Sequence, residues 1–204
     1  MSYPSRDRSE WSQLDLALIA VFAALIAALS LTPAIPVGSL GVPITLQTLG
    51  VALTGLILGP IRGLLATLLY LAIGFAGLPV FAGFTSTWAV LAKPSAGYLL
   101  SFPLAALVAG LVSRALMRRF RMQHNFAWFF IGAMVASVVT HIFGIIGMSL
   151  ILQISLSAAA IGDLAYVPGD IAKDLVASAI AVAVLKAFPH IVLHRRRVTT
   201  LQPG

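Results

Sequence analysis

Residues 46–78 read LQTLGVALTGLILGPIRGLLATLLYLAIGFAGL, two apolar runs divided by Gly59-Pro60-Ile61-Arg62. A membrane-spanning helix needs about 20 apolar residues at 1.5 Å each, with a working range of about 17–25. Each run sits at or just below that range. Pro and Gly stop one helix and start the next, so the four residues read as a tight turn between two helices. A re-entrant pair is the competing reading, but the apolar length suffices for two crossings. Taken as a true hairpin, this stretch sets the number of spans in the chain at six.

Working outward, the six apolar segments are roughly 14–32, 46–60, 62–78, 97–117, 126–152 and 168–188. Of the 204 residues, 60% are hydrophobic and only 9% charged, and the mean hydropathy is +1.02. Soluble domains carry roughly 25% charged residues, so lipid has to be the solvent for this surface. The expectation is an all-α polytopic membrane protein, a six-transmembrane-helix bundle forming one membrane domain over 1–204. Residues 1–13 are polar, and the Leu14–Leu31 run is longer than the 7–15 residues of a signal-peptide core. Thr32-Pro33-Ala34-Ile35-Pro36 follows it in place of a small-residue cleavage site, so the run reads as a retained first helix.

Orientation follows from the basic residues. With the N-terminus inside, the inner side carries Arg6, Arg8, Arg62, Arg114, Arg118, Arg119, Arg121, Lys186, Arg195, Arg196 and Arg197. That is eleven of the thirteen Lys and Arg; only Lys93 and Lys173 lie outside. Both termini are therefore expected in the cytoplasm. The net charge of +7 is spent on topology, in short clusters at the ends of apolar runs, so it does not point to nucleic acid.

The outer connections are the longer ones. One runs from Pro33 to Pro43 and the other from Leu78 through Phe81, Phe84 and Trp88 to Lys93-Pro94. Both are too apolar for solvated tails, and apolar loops rich in Gly and Pro fold back onto helices and cover something. The elaborated face thus looks outward, as a receptor for an external solute would.

Chemistry concentrates in Tyr166-Val167-Pro168-Gly169-Asp170-Ile171-Ala172-Lys173-Asp174. Pro168 suits the first helical position, which places Asp170 where the helix dipole favours a carboxylate. Asp170, Lys173 and Asp174 stand at i, i+3 and i+4 and share a helix face. Ionisable residues in a span are costly and turn toward the bundle interior or a wet cavity. A structural ion pair near the outer interface is the plain alternative, since all three lie within roughly 10 Å of helix. As a binding site, Asp170 accepts from N–H donors and Lys173 donates to a carbonyl or carboxylate.

Other candidates are less specific. Gln47 and Thr45 open the second span; an amide both donates and accepts, whereas Thr45 also suits a simple N-cap. Lys93 stands alone among apolar outer-loop residues, as an exposed lysine or as an anchor for a carboxylate. Phe81, Phe84, Trp88 and Tyr98 either wall a pocket or form the interfacial aromatic belt. A lone histidine within a span, His141, is more often an interhelical hydrogen-bond partner than a proton relay or ligand. Ala17, Ala20, Ala23, Ala24, Ala27 and Ala28 line the first span, and Ala23/Ala27 and Ala24/Ala28 are small-xxx-small pairs that let another helix approach. Packing within the bundle would use them equally well.

Absences narrow the function. With no Cys there is no disulfide framework, thiol nucleophile or Cys-ligated metal. No phosphate-binding loop is present, so the chain does not itself hydrolyse ATP by that route. Neither a zinc-protease helix motif nor a serine-hydrolase elbow occurs. An enzyme reading has no nucleophile–base pair to stand on.

The ordered motifs resemble the biotin-specific substrate-binding (S) components of energy-coupling-factor transporters, the BioY family. They are Val42-Pro43-Ile44-Thr45-Leu46-Gln47-Thr48-Leu49-Gly50, Leu58-Gly59-Pro60-Ile61-Arg62-Gly63, Gly77-Leu78-Pro79-Val80-Phe81-Ala82-Gly83, Gly97-Tyr98-Leu99-Leu100-Ser101-Phe102 and Pro168-Gly169-Asp170-Ile171-Ala172-Lys173. The family usually reads Gly-Pro-Thr-Gly-Gly-Tyr before its fourth helix, where this chain reads Lys93-Pro94-Ser95-Ala96-Gly97-Tyr98. The resemblance implies a bacterial cytoplasmic-membrane protein that captures biotin near the outer face for uptake. Asp170 and Lys173 fall on the family's binding signature, and Thr45 and Gln47 on its pocket-lining segment; the residues' own chemistry, apart from the resemblance, adds Lys93, Phe84, Trp88 and Tyr98 to the expected site. The Ala-rich first span, through Ala20, Ala23, Ala24, Ala27 and Ala28, is then the surface that docks on a transmembrane coupling (T) subunit, with ATPase subunits supplying the energy. Neither cofactor nor metal is implied, and self-association stays open. Alternatives are an S component for thiamine or riboflavin, and a self-sufficient ion-coupled carrier in which Asp170, Asp174 and His141 relay protons.

Overall fold

The computed structural model describes residues 11–120 and 125–188. They form α1 (Gln13–Ser30), β1 (Ile35–Pro36), β2 (Pro43–Ile44), α2 (Gln47–Leu58), α3 (Pro60–Phe75), α4 (Ala96–Phe120), α5 (Phe126–Leu152), α6 (Leu156–Asp163) and α7 (Val167–Ala187). All six apolar segments emerge as helices, α1 to α5 and α7, within a few residues of the expected bounds. Three of them, α1, α4 and α5, are long and apolar enough to cross a membrane. At 12 and 16 residues, α2 and α3 extend only about 18 and 24 Å, less than the roughly 30 Å of a hydrocarbon core. Length is no obstacle for α7 with its 21 residues; what sets it apart is the charge of Asp170, Lys173, Asp174 and Lys186.

The short α2 is the centre of the bundle. Every residue from Gly50 to Leu58 is buried, as expected of a helix that is apolar all round, and α2 packs against α1, α3, α4, α5 and α7. Its end is sharper than the four-residue turn expected. Gly59 alone makes the corner, with φ +80°, and Pro60 already occupies the first turn of α3. A side chain at Gly59 would be strained by that backbone and would run into the Arg114 guanidinium.

Basic residues gather at this corner. Arg114 donates to the Leu58 carbonyl at 2.8 Å, and Arg62 pairs with Asp15 at the start of α1 at 3.1 Å. Arg6, Arg8, Arg121, Arg195, Arg196 and Arg197 lie outside the described residues. On the bundle's exterior, Val21, Leu68, Leu104, Val138, Leu150 and Ile180 are exposed. Side chains of that kind on five different helices mark a surface solvated by lipid rather than water.

The opposite end carries the loops, which do fold back onto the helices. β1 and β2 pair antiparallel, Ile35 opposite Ile44. The Ser30 hydroxyl and the Tyr70 hydroxyl both donate to the Val80 carbonyl, the latter at 3.0 Å. Phe81 inserts edge-on against Tyr70 and Phe75. Two elements of this end went beyond the expected layout: the small hairpin and the eight-residue α6.

The alanines of α1 divide between two faces. Ala20, Ala24 and Ala28 are exposed and Ala27 is half-buried, but Ala23 is only 2% exposed. Ala23 therefore belongs to the bundle interior and corrects the expectation that it lines an outer docking surface.

Candidate functional site

A cavity of about 660 Å³, counting its open mouth, lies at the loop-rich end. Val42 and the β2 residues Pro43 and Ile44 form one wall, and Phe81, Val90, Leu99 and Phe102 add further apolar surface. Its polar side comes from α2 and α7. Lys173 Nζ donates to Asp170 Oδ1 at 2.6 Å, to Thr48 Oγ1 at 2.9 Å and to the Thr45 carbonyl at 3.1 Å. Thr48 donates in turn to Asp170 Oδ1 at 3.1 Å. An ammonium held on three oxygens and a carboxylate held on two donors are fixed in direction before any solute arrives.

The sequence folds this way because the first turns of α7 lie beside the N-terminus of α2. Asp170 and Lys173 project from one α7 face at i, i+3, and meet Thr48 in the first turn of α2 and Thr45 just before it. Gln47 points elsewhere. It accepts from the Thr45 hydroxyl at 3.1 Å and donates to the Tyr70 hydroxyl at 2.7 Å, and Tyr70 continues to Val80. Gln47 thus ties the cavity floor to α3 and to the covering loop, while also lining the cavity.

Thr45, Gln47, Lys93, Tyr98, Asp170 and Lys173 all line this one cavity. Phe84 and Trp88 do not, which corrects two expectations. Phe84 is 68% exposed, at a left-handed φ of 57°. Trp88 is 67% exposed and stacks on Phe75 with centroids 4.5 Å apart. Both rings point away from the site, as an aromatic belt would place them. Phe81, Phe102 and Tyr166 take the walls instead. Lys93 stands at the mouth with an exposed side chain.

Several residues had no role in the sequence reading. Thr48 was visible only as part of a motif, although its hydroxyl joins both ions. Tyr166 is 4% exposed, lines the cavity and has a buried hydroxyl with no hydrogen-bond acceptor among the described residues. Asp163, an isolated acid in the apolar 153–166 segment, was the missed signal. It accepts from the Tyr98 hydroxyl and lies 2.8 Å from His141 Nδ1. His141 does act as an interhelical partner, joining α5 to α6 and, at 3.5 Å, to Asp170 on α7. Asp174 turns from the cavity to accept from Ser137 on α5 at 2.7 Å.

Comparison with known proteins places this arrangement. The sequence model of the BioY family matches residues 5–190. The biotin transporter BioY of Rhizobium etli is 37% identical over 180 residues, 87% of this chain and 96% of that protein. That of Rhodobacter capsulatus is 38% identical over 191 residues, 89% and 98% of the two chains. Among solved structures, the crystal structure at 2.1 Å of the S-component for biotin from an ECF-type ABC transporter matches with a TM-score of 0.79 and 26% identity, covering 87% of this chain and 95% of that one. A family match over nearly the whole length, relatives at this identity and a shared fold lead to one conclusion: this membrane protein belongs to the BioY family.

Proposed function

We propose that this chain captures biotin from outside the cell and is the substrate-binding component of a biotin uptake transporter, with no catalytic residues of its own. The observation that carries the reading is the Lys173–Asp170 pair, fixed on Thr45 and Thr48 in the wall of a largely apolar cavity. Biotin has the complementary parts: two ureido N–H donors and a carbonyl, an apolar bicycle and valeryl chain, and a carboxylate. Asp170 takes a ureido N–H, and Lys173 or Lys93 pairs with the carbonyl or the carboxylate. Thr45, Gln47 and Tyr98 line the remainder. The single domain spans a bacterial cytoplasmic membrane six times, with both termini in the cytoplasm. The segregation of Arg62 and Arg114 to one end and Lys93 and Lys173 to the other supports that orientation. Ala20, Ala24 and Ala28 on the exposed side of α1 form the docking surface for a transmembrane coupling subunit, which links the chain to ATPase subunits.

Equilibrium binding of labelled biotin to the purified chain in detergent tests this, with thiamine and riboflavin as competitors. Nanomolar binding, about −12 kcal/mol, that neither competitor displaces is the expected result. Displacement by either vitamin, or absence of biotin binding, overturns the substrate assignment. Within the same assay, Tyr166→Phe is expected to weaken biotin binding about fivefold, because its buried hydroxyl has no acceptor among the described residues and is a donor that a ligand in the cavity can satisfy, worth about 1 kcal/mol. Wild-type affinity in Tyr166→Phe assigns that hydroxyl no part in binding.

A further inference from the structure

Behind the cavity lies a second polar cluster that biotin capture does not by itself require. A cleft between α5 and α7 is lined by Ser137, His141, Asp163, Asp170 and Asp174, with apolar residues around them. Asp170 belongs to both: its Oδ1 faces Lys173 and Thr48, and its Oδ2 faces His141 Nε2 at 3.5 Å. The other imidazole nitrogen, Nδ1, lies 2.8 Å from Asp163 Oδ2. Asp163 is 3% exposed and also accepts from the Tyr98 hydroxyl.

This geometry constrains the protons on the ring. A carboxylate beside Nδ1 takes a hydrogen bond from it, so Nδ1 carries a proton. Nε2 then either carries a second proton or aims a lone pair at the Asp170 carboxylate. In a site shielded from water the lone pair repels that oxygen and the proton attracts it. Charge balance points the same way: Asp163, Asp170 and Asp174 line this cleft, and among the described residues the one ammonium paired with any of them is that of Lys173, on Asp170. Unbalanced charge at membrane depth is costly.

We infer that His141 is held as an imidazolium bridging Asp163 and Asp170, and that it is a positioning residue which fixes Asp170 for the ligand and links biotin binding to a bound proton. The inference rests on the reading of Asp170 and Lys173 as the biotin site. Asp170 is then held from α2 by Thr48 and along α7 by Lys173, with the His141 Nε2 on α5 in ion-pair range at 3.5 Å. When the anionic ligand engages Lys173, Asp170 loses part of its compensation, and the imidazolium supplies it. The complex therefore holds the proton more firmly than the empty site. Between the pH at which the empty site releases it and the higher pH at which the complex does, binding takes up one proton and affinity falls about tenfold per pH unit. The groups facing His141 are Tyr98 from α4, Ser137 on α5, Asp163 from α6, and Asp170 and Asp174 from α7, with Lys173 and Tyr166 next in line.

The test uses the full chain in detergent with labelled biotin between about pH 5.5 and 9, and calorimetry in two buffers of different ionisation enthalpy to count protons. Wild type is expected to show the falling affinity and an uptake approaching one proton per biotin at the upper end. His141→Gln is expected to bind about tenfold more weakly at low pH and to lose the slope. Asp163→Asn, which leaves the ring in place, should lose it too, whereas Asp174→Asn should retain it. A slope that survives His141→Gln, or that disappears with Asp174→Asn, overturns the proposal. Nitrogen-15 histidine shifts of the unsubstituted chain decide the protonation even if a variant fails to fold: two protonated ring nitrogens support the imidazolium, and a neutral tautomer at low pH refutes it. Those shifts can be read whether or not biotin binds, so a wild-type chain that ignores biotin at every pH sinks the substrate reading separately.

Discussion

Lys173→Ala is expected to weaken biotin binding by about 2 kcal/mol or more, roughly 30-fold, the largest loss for any single side chain of the cavity. Two effects add in the same direction. The ligand loses a charge-assisted donor, a class of hydrogen bond worth about twice a neutral one. Asp170 also loses the ammonium 2.6 Å away, and a buried carboxylate stripped of its partner is strongly unfavourable. Thr48 then keeps Asp170 as its acceptor but no longer receives the ammonium. Asp170→Asn separates the two contributions. It keeps an oxygen that accepts a ureido N–H while removing the charge, so its loss should be smaller than that of Lys173→Ala. The measurement is a titration of labelled biotin against each purified variant, with thermal unfolding in detergent recorded alongside to confirm the fold. Unchanged affinity in a folded Lys173→Ala chain removes Lys173 from the site and returns the ion pair to a purely structural role.

Much of this arrangement was legible in the sequence because it rests on short-range rules. Apolar length gave the six helices, Gly59-Pro60 gave the corner between α2 and α3, and the i, i+3 spacing of Asp170 and Lys173 gave their common face. What escaped has physical reasons as well. The helix α6, Leu156–Asp163, is too short to register in a search for spans, and a hairpin of two-residue strands containing Pro36 and Pro43 has no alternating pattern to detect. Aromatic composition marks Phe81, Phe84 and Trp88 equally, yet only the backbone decides direction. Phe81 turns into the Tyr70–Phe75 notch, while left-handed corners at Phe84 and Thr87 carry the intervening segment outward. The alanine pairs of α1 were separable in principle. Ala23/Ala27 and Ala24/Ala28 differ by one residue, about 100° of helix, so both could not face the same partner; burial of Ala23 decides which pair faces inward. Asp163 was hidden by its setting, since an acid in a connecting segment is ordinarily solvated, and only the fold brings it against His141 and Tyr98.

The second large effect concerns the seam on which this geometry stands: Gly110→Val is expected to cost about 3 kcal/mol or more of stability and to abolish the folded species in detergent. A Cβ at Gly110 would lie 2.5 Å from Pro60 N, 2.6 Å from Gly59 C and 2.8 Å from Gly55 O. All three are backbone atoms, so no rotamer change relieves the overlap, and α4 would have to retreat from the α2–α3 corner. The surrounding positions leave little room to do so. A Cβ at Gly55 would come within 2.9 Å of Ala109 Cβ, and one at Gly132 on α5 within 2.9 Å of the Ala109 carbonyl. Glycine and alanine are what allow these backbones to approach, and in lipid that close packing replaces the hydrophobic effect as the force between helices. Because α2 is central and carries Thr48 at its first turn, displacing α4 from α2 also loosens the cavity wall formed by Leu99 and Phe102. Ala115→Val, on the exposed side of the same helix, places the same valine side chain where only lipid is displaced and should leave unfolding unchanged. Size-exclusion profiles and unfolding temperatures of the two variants make the comparison. Wild-type stability in Gly110→Val would show that α4 tilts freely at this crossing, and the seam would then not be what holds the Leu99–Phe102 wall against α2.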